Sequence, residues 1–153
     1  MRTLPATVLF CLLGAGAAAQ QDTPSPTPAG PPRPAPDEVV VFSGVNYKGD
    51  WMVLKVGDEV PELSKSAAGN WDRRIDSLMV GAQAIAVLFS SPKFEMFCLG
   101  LPANPQGGPG YYPDLSRVTH KNLPLPLGGR VRSIRVVSLH ADPITLCRPG
   151  RRK

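Results

Sequence analysis

The side chains with most chemistry to offer are two cysteines, two histidines and a few carboxylates. Cys98 and Cys147 remain once Cys11, inside an N-terminal apolar run, is set aside. A thiol acts as a nucleophile only when a base holds it as thiolate. His120 and His140, the only histidines, stand in no recognisable nucleophile context. In an exported chain an even pair of cysteines points instead to a disulfide, here one pinning the C-terminal tail to a strand. Glu62 and Asp114 lie in two similar Pro-acid-Leu-Ser segments, which suits turn residues better than acid catalysts. No Gly-X-Ser-X-Gly, His-Glu-X-X-His or phosphate-loop motif occurs, and no enzyme activity is expected.

These groups are carried by 153 residues with a formal net charge of +5. Residues 1–19 read as a secretory signal: Arg2, an apolar run from Val8 to Leu13, and a small-residue cleavage site at Ala17-Ala18-Ala19. A membrane anchor would need about 20 apolar residues, so no transmembrane segment is expected. Cys11 has no small residues before it, which argues against a lipoprotein. The expected location is extracellular. Residues 20–37 alternate prolines with small residues and read as a semi-rigid spacer. The competing reading, a ligand for an aromatic groove, rests on Arg33 alone, and the interspersed Ser and Thr allow O-glycosylation.

The remaining 38–140 form one domain, followed by a basic tail over 141–153. No helical period is sustained. Short β-rich runs recur at 39–43, 51–56, 74–80, 84–90, 94–99 and 131–139, which predicts an all-β sandwich or barrel. Between the first two runs, Phe42 to Gly49 describes a hairpin folded over its own sheet. Phe42 and Tyr47 can stack on one face, and Gly49 can take a positive φ. The pattern then repeats. Val39–Phe42, Pro61-Glu62-Leu63-Ser64 and Ile75–Val80 are followed in the same order by Ala86–Phe89, Pro113-Asp114-Leu115-Ser116 and Val131–Val136. Two such units, 38–82 and 83–140, fit two Greek keys.

The spacing aromatic, four residues, aromatic, one residue, glycine, with a later serine, resembles the βγ-crystallin superfamily. Phe42, Tyr47, Gly49 and Ser77 match it, as do Phe89, Phe94 and Ser133. The resemblance implies an all-β, βγ-crystallin-like sandwich of two Greek keys. Met96 stands where the second glycine belongs, and since a Met at positive φ is strained, that hairpin is expected to differ locally.

Many microbial members of that superfamily bind calcium through a segment Asn/Asp, Asn/Asp, two residues, Ser/Thr, Ser. Calcium takes six to eight oxygen ligands. Here the segments read Asp72-Arg73-Arg74-Ile75-Asp76-Ser77 and Gly128-Gly129-Arg130-Val131-Arg132-Ser133. Asp72 and Asp76 keep oxygens, but a guanidinium has no lone pair and repels a divalent ion. The sites are expected to be degenerate, with Asp72 and Asp76 solvated turn and strand residues or, at most, ligands of weakly held calcium. No other cofactor is expected.

The expected function is a secreted, non-enzymatic structural or binding module. Its partner would be an extracellular protein, or an anionic surface met by the basic tail; nucleic acid is not expected, because no basic strand interleaved with aromatics is seen. The alternative implied by secreted relatives is a peptidase inhibitor or a small antimicrobial toxin. The Pro- and Gly-rich loop from Pro102 to Gly110 is either a tolerated insertion or the loop such an inhibitor would present.

Overall fold

The computed structural model describes residues 30–118, 126–142 and 145–148. The expected signal (1–19), most of the spacer, His120 and residues 149–153 of the basic tail lie outside them. Eight strands follow in order: β1 (Glu38–Gly44), β2 (Lys48–Lys55), β3 (Glu59–Val60), β4 (Ser77–Val80), β5 (Ala84–Phe89), β6 (Cys98–Pro102), β7 (Gly110–Tyr112) and β8 (Ser133–Ser138). They form two antiparallel sheets, ordered β2-β1-β4-β7 and β3-β8-β5-β6. Among the described residues no helix is long and apolar enough to cross a membrane.

The continuous apolar runs of β1 and β5 are explained by burial on both faces. Val39, Val41, Ala84, Ala86 and Leu88 enter the core between the sheets, with Leu78, Val80, Ile134 and Val136. Their alternates face outward and are roofed by the folded hairpins. Val40 and Phe42 pack with Met79 and Tyr47, while Ile85, Val87 and Phe89 pack with Phe94. The Phe42–Tyr47 rings meet edge-on at 5.7 Å and the Phe89–Phe94 rings at 5.3 Å. Such pairs contribute about 0.5–1.5 kcal/mol beyond their area burial.

The serines hold the hairpins as the repeat requires. Ser77 Oγ accepts from Tyr47 N (3.0 Å) and donates to Gly44 O (2.6 Å). Ser133 Oγ accepts from Phe94 N (3.2 Å) and donates to Ser91 O (2.6 Å). One expectation is corrected here. Asn46, Tyr47 and Gly49 have φ of 56°, 60° and 81°; Lys93, Phe94 and Met96 have 60°, 61° and 60°. The second hairpin therefore keeps the same conformation despite Met96. Ser133 and the buried Phe94 fix the turn and hold Met96 at a strained φ, with its side chain 74% exposed.

The run expected at 94–99 is displaced to β6, because 92–94 form the turn of that hairpin. Strands β3 and β7 were not foreseen, and each crosses into the sheet of the other unit. The proline carbonyls ahead of the two acidic corners cross likewise: Asn46 N donates to Pro113 O, and Lys93 N to Pro61 O. The spacer also ends earlier than expected. Ala35 O accepts from Glu38 N and Pro36 O from Gln83 N, and a side chain on Gly81 would collide with both carbonyls.

Candidate functional site

The segments 72–77 and 128–133 each lead into the last strand of their unit, and the pseudo-twofold sets them against one another. Asp76 N donates to Phe42 O while Asp76 O accepts from Leu115 N. Arg132 N donates to Phe89 O while Arg132 O accepts from Leu63 N, which repeats the arrangement. Arg73 N donates to Val131 O at 2.9 Å, joining the segments directly. Ile75 and Val131 are fully buried and anchor each segment to the core.

Asp72 and Arg132 are the side chains that meet. Arg132 Nε donates to Asp72 Oδ1 at 3.0 Å, across 60 positions of sequence. The pair is partly buried, the two side chains being 34% and 21% exposed. The residue in the Ser/Thr place of the second segment thus puts a guanidinium onto the first carboxylate of the first. The reciprocal pairing is impossible, because Gly128 holds Asp72's place in the second segment and offers Asp76 no side chain. A Cβ on Gly128 would lie 2.9 Å from Ser116 N, so close packing calls for glycine there. Asp76 is held through its backbone, and its carboxylate has no ion pair among the described residues. Nor does any group of three His, Cys, Asp or Glu side chains gather among them.

Beside the pair lies an open groove of about 610 Å³. Arg73, Arg130 and Arg132 line it together with Leu127, Met96 and Phe97. Among the described residues Arg73 and Arg130 have no acidic partner. Met96 and Phe97 are exposed despite their apolar side chains. In the sequence Arg73 and Arg132 show only as lost calcium ligands. The spacing from Met96-Phe97 to Arg130-Val131-Arg132 held no sign that these segments share a surface.

The other sequence candidates fall elsewhere. Glu62 pairs with Lys65 (2.6 Å) and Asp114 with Arg117 (3.1 Å), each a half-buried carboxylate with an exposed cation at equivalent corners. Lys65 holds the Glu62 carboxyl below its ordinary range, and the Ser116 hydroxyl does the same for Asp114. Cys98 and Cys147 are joined as a disulfide, and neighbouring Leu146 packs on the Ile85–Val87–Phe89–Phe94 cluster. Arg135, only 9% exposed, lies 4.3 Å over the Phe94 ring and donates to Arg148 O. Its Nε approaches Glu59 Oε1 to 2.7 Å but makes no aligned hydrogen bond, so that contact is Coulombic. His140 is exposed, its backbone N donating to Ser138 Oγ. The loop after Pro102 closes on itself: Asn104 N donates to Gly108 O and Gly107 N to Asn104 O.

No family model and no curated protein matches the sequence. Solved structures do match. One, concerned with the evolution of the eye lens βγ-crystallin domain fold, is 22% identical, with a TM-score of 0.55 over 70% of this chain and 91% of that one. The Ca²⁺-bound βγ-crystallin domain of Abundant Perithecial Protein from Neurospora crassa is 19% identical, with a TM-score of 0.52 over 72% and 99%. Spherulin 3a from Physarum polycephalum is 21% identical, with a TM-score of 0.50 over 72% and 92%. The fold is that of a βγ-crystallin domain.

Proposed function

We propose that this chain, a βγ-crystallin fold by its architecture, is a secreted, non-enzymatic structural or binding module whose calcium positions are degenerate. The observation that carries this reading is the Arg132–Asp72 pair. A domain of the same fold is described as calcium-bound in Neurospora crassa. Here a fixed cation of the chain itself occupies the carboxylate that a divalent ion would use. A guanidinium offers donors and no lone pair, so it cannot act as a ligand. Its charge also opposes entry of calcium, and Arg73 adds to that field. The partner on this reading is an extracellular protein or an anionic surface.

Calcium titration calorimetry with thermal melts tests it. Millimolar calcium is expected to raise Tm by a few degrees at most, since stabilisation is small when ligand barely exceeds its dissociation constant. Arg132→Ser with Arg73→Asp frees Asp72 and adds a carboxylate, and is expected to bring measurable binding. Two calcium ions held at micromolar affinity by the unaltered protein would refute the reading.

A further inference from the structure

We propose that the groove beside the Arg132–Asp72 pair binds an alkyl phosphate monoester, its head on the arginines and its chain against Met96 and Phe97. This rests on the binding-module reading and gives it a ligand class.

Charge is the first argument. Arg73, Arg130 and Arg132 bring three positive charges, and Asp72 offsets one, leaving a local excess of +2. No other acid among the described residues pairs with Arg73 or Arg130. A phosphate monoester, with a second pKa of about 6, carries close to two negative charges at neutral pH and matches that excess. Guanidinium groups also suit phosphate geometrically, offering paired N–H donors in a planar fork.

Shape is the second. About 610 Å³ lies within the usual range of small-ligand sites, roughly 300–1,000 Å³. Its lining is apolar as well as basic. Leu127 is buried, while Met96 and Phe97 are 74% and 45% exposed. Met96 holds its positive φ on the turn beside Phe97, so two solvent-facing apolar side chains are presented together. A hydrocarbon chain would cover them, which inorganic phosphate cannot do. The same head chemistry occurs in a soluble monoester and in phosphatidic acid on a membrane, and the assay separates the two.

The assay is calorimetry on the mature full chain with octyl phosphate below its micelle concentration, beside inorganic phosphate. Octyl phosphate is expected to bind at least about tenfold more tightly, and binding should weaken as pH falls below about 6, where the head loses a charge. Arg73→Gln with Arg130→Gln, both at exposed positions, should weaken octyl phosphate by about tenfold or more. Met96→Ser with Phe97→Ser should erase its advantage over inorganic phosphate. Unchanged melting temperatures would show that all variants fold. In a parallel arm, phosphatidylcholine vesicles with and without phosphatidic acid are sedimented with the protein. Acid-dependent sedimentation lost in the double-Gln variant places the head on a lipid; binding of octyl phosphate without it places the head on a soluble molecule. Equal affinity for octyl and inorganic phosphate, or full binding by the double-Gln variant, would overturn the proposal. Failure here with calcium also silent sinks this inference alone, whereas micromolar calcium binding sinks the reading beneath it.

Discussion

Gly49 and Met96 occupy the same place in two hairpins of one conformation, which makes them a matched pair for mutation. Gly49 has φ 81°, and a Cβ built on it lies 2.5 Å from Ser43 Oγ. That hydroxyl accepts from Asp50 N at 2.9 Å. Gly49→Ala therefore places an L side chain in the left-handed region, at roughly 1–2 kcal/mol, and turns Ser43 away from Asp50 N, at about 0.5–1.5 kcal/mol. The lower entropy of the unfolded Ala chain offsets about 0.4–1 kcal/mol. The net destabilisation is about 2 kcal/mol, near 8 °C in Tm for a domain of this size. Met96→Gly reverses the terms. It relieves the left-handed strain, loses the entropic advantage, and forfeits little burial because the side chain is 74% exposed, so it should stabilise by about 0.5 kcal/mol. Urea denaturation of the disulfide-intact protein measures both. A neutral Gly49→Ala, or a Met96→Gly that costs more than about 1 kcal/mol, would refute the equivalence of the two turns.

Ser77→Ala and Ser133→Ala each strip one backbone N–H and one backbone C=O of their hydroxyl partner, and a loss of about 2–3 kcal/mol is expected for either by the same denaturation assay. Reducing the Cys98–Cys147 bond, whose sequence separation is 49, should cost about 4 kcal/mol in the chain-entropy model; an unmoved urea midpoint would count against it. Asp114 has its carboxyl held low, first by Ser116, so its contribution is present above the ordinary carboxylate range and lost as pH falls through its lowered value. Ser116→Ala should raise the Asp114 pKa, read by carboxyl NMR titration, and no rise would remove the hydroxyl as the cause.

What was legible in the sequence was what local pattern encodes. The β-branched run of β1 and the aromatic spacing of Phe42 and Tyr47 act within one hairpin; the serines at 77 and 133 reach hairpins 30 to 42 positions away and were legible because the repeat doubled the signal. Strands β3 and β7 are two and three residues long, too short to show a period. Arg135 stands in the Val131–Val136 run with nothing in the sequence to mark it as buried. Its burial follows from the Phe89–Phe94 roof and the Arg148 carbonyl brought near by the disulfide. Asp72 and Arg132 were both singled out, yet their pairing depends on the twofold placing segments 60 positions apart face to face. Sequence showed which ligands had changed; only the packing showed what the replacements touch.

The exchange of β3 and β7 between sheets makes the two units interlocked rather than merely adjacent. β3 lies against β8, and β7 against β4, so each unit completes the sheet of the other. The chain passes from one unit to the next through the short stretch Gly81–Gln83. A single cut there would release no separate halves, because each fragment would still be stitched into the other's sheet by strand hydrogen bonds and a common core. A half made alone would carry a bare sheet edge and a stray strand, a combination that invites pairing with a second copy. Folding must also wait for contacts between residues far apart in sequence, so both units are expected to form in one slow, cooperative step.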